Sequence, residues 1–311
     1  MQDLFSQQKQ KMLSTLIVTI GAFAGFEALS YVVSLYQLKS ALYLSFYIYF
    51  FHILWLIFVF DLHLKKRGVL AELRLNHRGM SLVWRALKAR FAYMTQWHHF
   101  RHFQNHLVLP GLLYWSCVIL IFLSPFNYPL KQIIILATTV CLNIGYWFMK
   151  EHVSQRMEAH SGSLKYLALV KLFAAFLVYC ALMGVTIHFG YGATFLGLAA
   201  GTLTFLLIYQ ALFQHHLLSF GAFLWIVIIS LVMAGVAMMV YQYWNTQYFA
   251  AGLVMLAVYN TLWGLLHHYL EKTLTWRIAF EYLAMTLLVL SLLLGSHNFN
   301  QRVVLFILCV A

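Results

Sequence analysis

Residues 219–242 decide the fold, and they read SFGAFLWIVIISLVMAGVAMMVYQ. This stretch contains no charged side chain. A helix crosses the hydrocarbon core of a bilayer with about 20 mostly apolar residues, because each residue rises about 1.5 Å through a layer about 30 Å thick. The length and composition of this stretch therefore predict a membrane-spanning helix.

Comparable stretches occur throughout the chain and predict nine spans in total. They lie at residues 13–36, 42–62, 107–125, 132–149, 164–187, 192–212, 219–242, 249–268 and 276–296. A further apolar run at residues 303–311 is too short to cross by itself, so the count is nine, or ten if that run belongs to a longer helix. We predict an all-α, polytopic membrane bundle that forms a single transmembrane domain over residues 1–311.

The overall composition agrees with lipid as the main solvent. The 311 residues are 63% hydrophobic and only 9% charged, whereas a soluble domain carries about 25% charged residues. The four cysteines are scattered through predicted spans and show no CxxC spacing. These features exclude a soluble globular domain, a disordered chain and a disulfide-stabilised secreted module.

The distribution of lysine and arginine predicts the orientation. If the N-terminus lies in the cytoplasm and the nine spans alternate, sixteen of the 20 basic residues fall on the cytoplasmic side, as the positive-inside rule requires. The net charge of +12 is then explained by this bias and by attraction to anionic lipid at the inner leaflet, with no need for a nucleic-acid partner. We expect an integral protein of a bacterial-type inner (plasma) membrane.

One long loop separates the second and third predicted spans. Residues 63–106 are basic and rich in histidine, and Val83, Leu87, Phe91 and Met94 recur at helical spacing within them. This pattern is typical of an amphipathic helix, which we place on the cytoplasmic leaflet.

Two glycine pairs have the spacing that allows helices to approach closely in lipid. They are Gly21/Gly25 in the first predicted span and Gly197/Gly201 in the sixth. We interpret both pairs as packing contacts within the chain.

Histidine is the unusual feature of this sequence. Twelve of the 15 histidines fall on the predicted cytoplasmic face. All four helices that run towards that face end in histidine: His63, His152, His215/His216 and His267/His268. In the loop, His98, His102 and His106 are spaced by four residues and would share one face of a helix.

Histidines at this spacing can bind one metal ion together, and a carboxylate can complete the set. Glu271 follows His267 by one helical turn. The candidate metal ligands are His98, His102, His106, His152, His215, His216, His267, His268 and Glu271. Imidazole with carboxylate suits iron or zinc, and two facing histidines would also suffice for haem.

This pattern favours a metal-dependent enzyme that activates oxygen or water, such as an oxidoreductase, acting on a lipid or isoprenoid substrate at the cytoplasmic face. In general plan the chain resembles membrane fatty-acid desaturases and hydroxylases, whose histidine boxes read HxxxH, HxxHH and HxxHH. It has the HxxxH spacing at His98–His102 and His102–His106, and HxxH at His99–His102. At the two later pairs, however, Leu212 and Gly264 replace the leading histidine, so membership of that family does not follow.

Two other classes of function remain open from the sequence. Glu27 lies near the middle of the first predicted span, where a carboxylate is costly, and His52 lies at a comparable depth in the second. Together they could relay protons in a transporter, or Glu27 could be neutral and simply fix two helices. Alternatively, histidines at helix C-termini are stabilised by the helix dipole without any ligand, as in a non-catalytic membrane subunit.

Lys171 lies inside the fifth predicted span. Its long side chain could extend towards the headgroups of the inner leaflet.

Overall fold

The structure is a computed structural model that describes residues 2–35, 40, 43–50, 97–123, 127–154, 161–215, 217–244 and 247–295. The predicted amphipathic helix up to residue 96 and the apolar run at 303–311 lie outside these residues. So do three of the histidines named above, His52, His63 and His216.

The described residues form nine helices and no strand. The helices are α1 (Gln2–Leu35), α2 (43–50), α3 (Trp97–Leu123), α4 (Tyr128–Ser154), α5 (Ser161–His188), α6 (Ala193–Gln214), α7 (Phe220–Tyr243), α8 (Tyr248–Leu270) and α9 (Trp276–Gly295). Each helix overlaps one of the nine predicted spans. The all-α prediction is therefore confirmed for the described part of the chain.

Six of these helices are long and apolar enough to cross a membrane. The candidate spans are Tyr128–Tyr146, Tyr166–His188, Ala193–Phe213, Phe220–Tyr243, Tyr248–Leu270 and Trp276–Leu293. In α1 and α3 the apolar portions, Thr19–Leu35 and Val108–Leu123, are shorter. The six helices indicate an integral membrane protein, while the nine-span count and the cytoplasmic N-terminus remain predictions.

Helix α3 begins earlier than its sequence suggests. The third predicted span begins at residue 107, whereas the helix runs from Trp97 and contains Pro110 in its interior. Proline has the backbone φ of a helix and loses only the hydrogen bond that its missing N–H would donate. Such breaks are tolerated in membrane helices, where neighbouring groups can satisfy the freed carbonyl.

The chain divides into two compact units. The first contains Met1–Tyr114 and Pro125–Val170. Within it α1 packs against α4, and two polar contacts join them: Asn143 Nδ2 donates to Thr19 Oγ1 at 2.7 Å, and Gln132 Nε2 donates to Glu27 Oε1 at 2.7 Å. The residue numbers run in opposite directions, so α1 and α4 are antiparallel.

The second unit contains Trp115–Ser124 and Lys171–Ala311. Here α6 packs extensively against α7, α7 also contacts α8, and α8 contacts α9. The turn between α5 and α6 uses Gly190 with a φ of +67°, a conformation that glycine adopts without steric cost. The N-terminus of α7 is capped by Ser219, whose hydroxyl accepts from the Ala222 amide at 3.2 Å.

The two glycine pairs have different environments. A Cβ on Gly201 would lie 3.0 Å from the Ser230 carbonyl oxygen, and one on Gly197 would lie 3.1 Å from that of Ala234. This pair therefore brings α6 close to α7, as we expected. Around Gly21 and Gly25, in contrast, no atom of the described residues lies within 4 Å of such a Cβ, so the expected contact is not found there.

Candidate metal site

The C-terminal ends of α6 and α8 meet at one end of the second unit. His215 caps α6, and His267 lies in the last turn of α8. Their imidazole rings lie 4.8 Å apart between centroids, at an interplanar angle of 73°. The two histidine pairs that follow the sixth predicted span and end the eighth thus contribute one ring each to the same place.

Glu271 completes a set of three metal-binding side chains. One potential ligand atom from each of His215, His267 and Glu271 lies within 4.8 Å of the others. Within the set, His267 Nε2 lies 3.2 Å from Glu271 Oε1. This nitrogen is buried and, among the described residues, has no partner in hydrogen-bonding geometry. A buried imidazole nitrogen directed at a carboxylate without a proper hydrogen bond is well placed to bind a cation between them.

The site is bordered by an aromatic ring on one side and is accessible at its carboxylate. The Trp263 ring lies 5.4 Å from the ring of His267 and 6.3 Å from that of His215. The side chain of Glu271 is 40% exposed, while that of His267 is only 22% exposed. The arrangement therefore combines a half-buried nitrogen pair with an accessible carboxylate.

The turn after α8 fixes the position of Glu271. Lys272 has a φ of +58°, so the chain reverses directly after the carboxylate. The Thr273 amide then donates to the His268 carbonyl oxygen at 2.9 Å. This is the pattern of a Schellman C-cap, and it holds Glu271 at the helix end beside His267.

His268 does not join the set of three. Its Nδ1 lies 2.9 Å from Thr273 Oγ1, and its ring lies 6.0 Å from that of Tyr282 on α9. Of two adjacent histidines on α8, one therefore faces α6 and the other faces the following turn and α9.

The packing of α8 explains why this chain lacks the leading histidines of a desaturase box. A Cβ on Gly264 would lie 2.3 Å from the ring of Tyr282, so no larger side chain fits there without a rearrangement. Leu212, at the corresponding position before His215, is fully buried in the core. Both positions are used for helix packing.

The remaining candidate ligands lie in the first unit or outside the described residues. His98, His102 and His106 are on the first turns of α3, which places them on one helix as their spacing predicts, and His152 is near the end of α4. Their side chains lie outside the described part, as does His216. Their participation in metal binding stays a prediction.

Glu27, the residue of the alternative proton relay, is half-buried and accepts the hydrogen bond from Gln132. Its suggested partner His52 lies outside the described residues. The contact that the structure describes joins α1 to α4 and gives Glu27 a hydrogen-bond partner.

Two neighbours of the site were not among the predicted residues. The sequence predicted no role for Trp263 in the site, although its ring borders both histidines. Lys171, which we expected to extend towards headgroups, is only 7% exposed, because it lies on a face of α5 that other helices cover. A lysine within a predicted span was the available signal, but the sequence does not show which helix face is covered.

The fold and the site define a multi-pass helical membrane protein with a cluster of two histidines and a glutamate at one end of a helix bundle. A family model described as a protein of unknown function, DUF5656, matches residues 79–295, and the chain belongs to this family. No curated protein and no solved structure matches the chain.

Proposed function

We propose that the protein is a membrane metalloenzyme that holds one metal ion between His215, His267 and Glu271 and acts on a lipid or isoprenoid substrate. The observation that carries this proposal is the convergence of three ligand atoms, from the ends of two helices, within 4.8 Å of one another. Bringing these atoms to about 2.0–2.2 Å from a common ion requires only small side-chain movements.

The donor set favours iron or zinc. Two imidazoles and one carboxylate leave coordination positions open, as in catalytic zinc sites and in non-haem iron(II) oxygenases. A metal in such a site activates water or oxygen at its open position. Haem, the variant considered from the sequence, is less favoured, because the two imidazoles would have to bind opposite faces of its iron, whereas a carboxylate oxygen already lies 3.2 Å from the His267 nitrogen.

The position of the site favours a substrate that comes from the bilayer. The candidate spans end at Phe213 and Leu270, next to His215 and Glu271. We therefore expect the site at the depth where apolar chains meet headgroups. A substrate with an apolar tail could remain in the bilayer while its polar end reaches the metal.

The experiment that tests this proposal measures metal content and activity on the same protein. The full chain is purified in detergent, stripped with a chelator, reloaded with Fe²⁺ or Zn²⁺ and measured by mass spectrometry of the metal. We expect one ion per chain, with at least about tenfold weaker retention in His215→Ala, His267→Ala and Glu271→Gln. Incubation with membrane lipids should then give a product that depends on both the metal and His215.

His188→Ala provides the matched control. His188 is the last residue of α5. Its ring packs edge-on against that of Phe122, with 5.3 Å between the centroids. This variant should keep the full metal content. Purified protein that takes up neither ion, or that loses metal equally in the control, would show that the proposal is wrong.

A proton-coupled transporter that uses Glu27 is the second candidate function. The observation in its favour is the hydrogen bond between Glu27 and Gln132 in the first unit, because such a contact can stabilise a carboxylate inside a membrane. In proteoliposomes, Glu27→Gln should abolish proton flux if this candidate is correct. Unchanged flux, or flux absent from the wild type, would remove it.

A further inference from the structure

Lys171 is a buried lysine of the second unit. It is 7% exposed, and it makes no hydrogen bond or ion pair with any residue that the structure describes. An ammonium group removed from water without a compensating anion is strongly destabilised. Something must offset this cost, either loss of the proton or an anion.

The register of the helices places Lys171 beside the metal site. Gly184 packs against Tyr248 and Cys180 against Gly252, while the ring of Tyr179 lies 6.0 Å from that of Tyr259. Helices α5 and α8 are therefore antiparallel. Two turns from Tyr179 towards the start of α5 lead to Lys171, and two turns from Tyr259 towards the end of α8 lead to His267. In agreement, the charge of Lys171 is close enough to act on His267.

No carboxylate in this unit is available to neutralise Lys171. The second unit contains only two acidic residues, Glu271 and Glu281. Glu281 is paired with Arg277 at 3.1 Å, and Glu271 lies 3.2 Å from His267 in the metal site. A bound anion is therefore the partner that we expect for a charged Lys171.

We propose that Lys171 and the metal ion at His215, His267 and Glu271 together bind the phosphate of a phosphomonoester. This inference rests on the proposed metal site and names the polar group of its substrate. A divalent ion, one ammonium and one carboxylate carry a net charge of +2 when both imidazoles are neutral. A phosphomonoester carries about −1.5 to −2 near pH 7, whereas a fatty-acid carboxylate carries only one negative charge.

The depths of the two cationic groups also fit a phosphate. Lys171 is five residues into the span Tyr166–His188, and His267 is three residues from the end of the span Tyr248–Leu270, so their depths differ by only about 3 Å. An extended lysine side chain covers that difference. Lysine is a common phosphate ligand that acts as a point charge, so a phosphate between the two positive groups can contact both.

The test uses the full chain in detergent with Co²⁺ bound in place of the native metal. The visible absorption of Co²⁺ changes when a new ligand enters its coordination shell, so the readout lies at the metal itself. Three probes are titrated: dioctanoyl phosphatidic acid, a monoester; inorganic phosphate; and dioctanoyl phosphatidylcholine, a diester. We expect saturable spectral changes with phosphatidic acid and none with the diester.

Variants of Lys171 test its part in this binding. In Lys171→Met we expect phosphatidic acid to bind at least about tenfold more weakly than in the wild type. The amount of Co²⁺ bound per chain should be unchanged. Lys171→Arg keeps the charge and should retain most of the binding. Lys131→Met is the control, because Lys131 is a comparably buried lysine, 5% exposed, that belongs to the first unit, and its loss should leave the binding of phosphatidic acid unchanged.

Each outcome decides between the two proposals. If inorganic phosphate binds as tightly as phosphatidic acid, the phosphate site is supported and its source is free phosphate. If Co²⁺ is bound but neither phosphate probe changes the spectrum, or if Lys171→Met binds as tightly as the wild type, the phosphate site is wrong and the metal site stands. If no Co²⁺ binds before any probe is added, both proposals fail. Should Lys171→Met not fold, the wild-type titration and Lys171→Arg decide.

Discussion

The imidazole rings of His215 and His267 lie 4.8 Å apart, although the two residues end different helices. Neither helix could form this pair alone, since the adjacent histidine on α8, His268, is bonded to Thr273 instead. The candidate metal site therefore depends on how the second unit holds the ends of α6 and α8 together. The following predictions test this arrangement and the packing that supports it.

Trp263 should report on metal binding by its fluorescence. Its ring lies 5.4 Å from that of His267, and Co²⁺ or Cu²⁺ quenches an indole at such short range. Part of the tryptophan emission should be lost as the ion is titrated, and Trp263→Phe should remove that part. Trp244→Phe is the control, since Trp244 caps the C-terminus of α7, whereas His215 lies shortly before the N-terminus of that helix. Equal quenching in wild type and Trp263→Phe would contradict the placement of the metal.

Gly264→Ala should destabilise the protein by about 1–3 kcal/mol, because its Cβ would lie 2.3 Å from the ring of Tyr282 and the tightly packed helices would have to shift. Thermal unfolding in detergent measures the effect. In Gly235→Ala, where no described atom lies within 4 Å, stability should be unchanged or higher by up to about 1 kcal/mol. Adding Tyr282→Leu to Gly264→Ala should recover part of the loss. Full stability of Gly264→Ala alone would refute the close approach of α8 and α9.

Gly201→Ala should lower the stability by a similar amount, about 1–3 kcal/mol, because the new Cβ would lie 3.0 Å from a backbone oxygen that cannot move aside easily. Gly21→Ala, in the other glycine pair, should be tolerated. The comparison of the two unfolding temperatures checks this. If both variants behave alike, the contact between α6 and α7 does not depend on the glycine.

Glu27→Leu should destabilise the first unit by about 1–3 kcal/mol, because the amide of Gln132 loses its acceptor in an apolar surrounding. Glu27→Gln keeps an acceptor and should cost less than about 1 kcal/mol. The double variant Glu27→Leu with Gln132→Leu should be more stable than Glu27→Leu alone, since both polar groups are then removed. The free energy of unfolding of all three variants is measured by titration with a denaturing detergent. Additive losses in the double variant would show that the two side chains do not interact.

The helices were predictable because hydropathy depends on local sequence. Each predicted span overlaps a described helix, and Glu271 was placed one turn after His267 because a helix has a fixed period. Gly264 and Leu212 stand where a desaturase box would have its leading histidine. Both positions pack against neighbouring helices.

The pairing of helix ends was not predictable, because the direction in which each face points depends on tertiary packing. Nothing in the pair His267–His268 indicates that the first ring meets His215 and the second meets Thr273. For the same reason Lys171 was expected at the lipid headgroups but is covered by protein. Lys131, which falls between the third and fourth predicted spans, is likewise only 5% exposed.

The most direct test of the metal site is X-ray absorption spectroscopy of the protein loaded with zinc or iron. We predict a first shell with two imidazole nitrogens and one carboxylate oxygen at about 2.0–2.2 Å, and the loss of one imidazole in His215→Ala. A first shell without imidazole, or an identical shell in His215→Ala, would contradict the account.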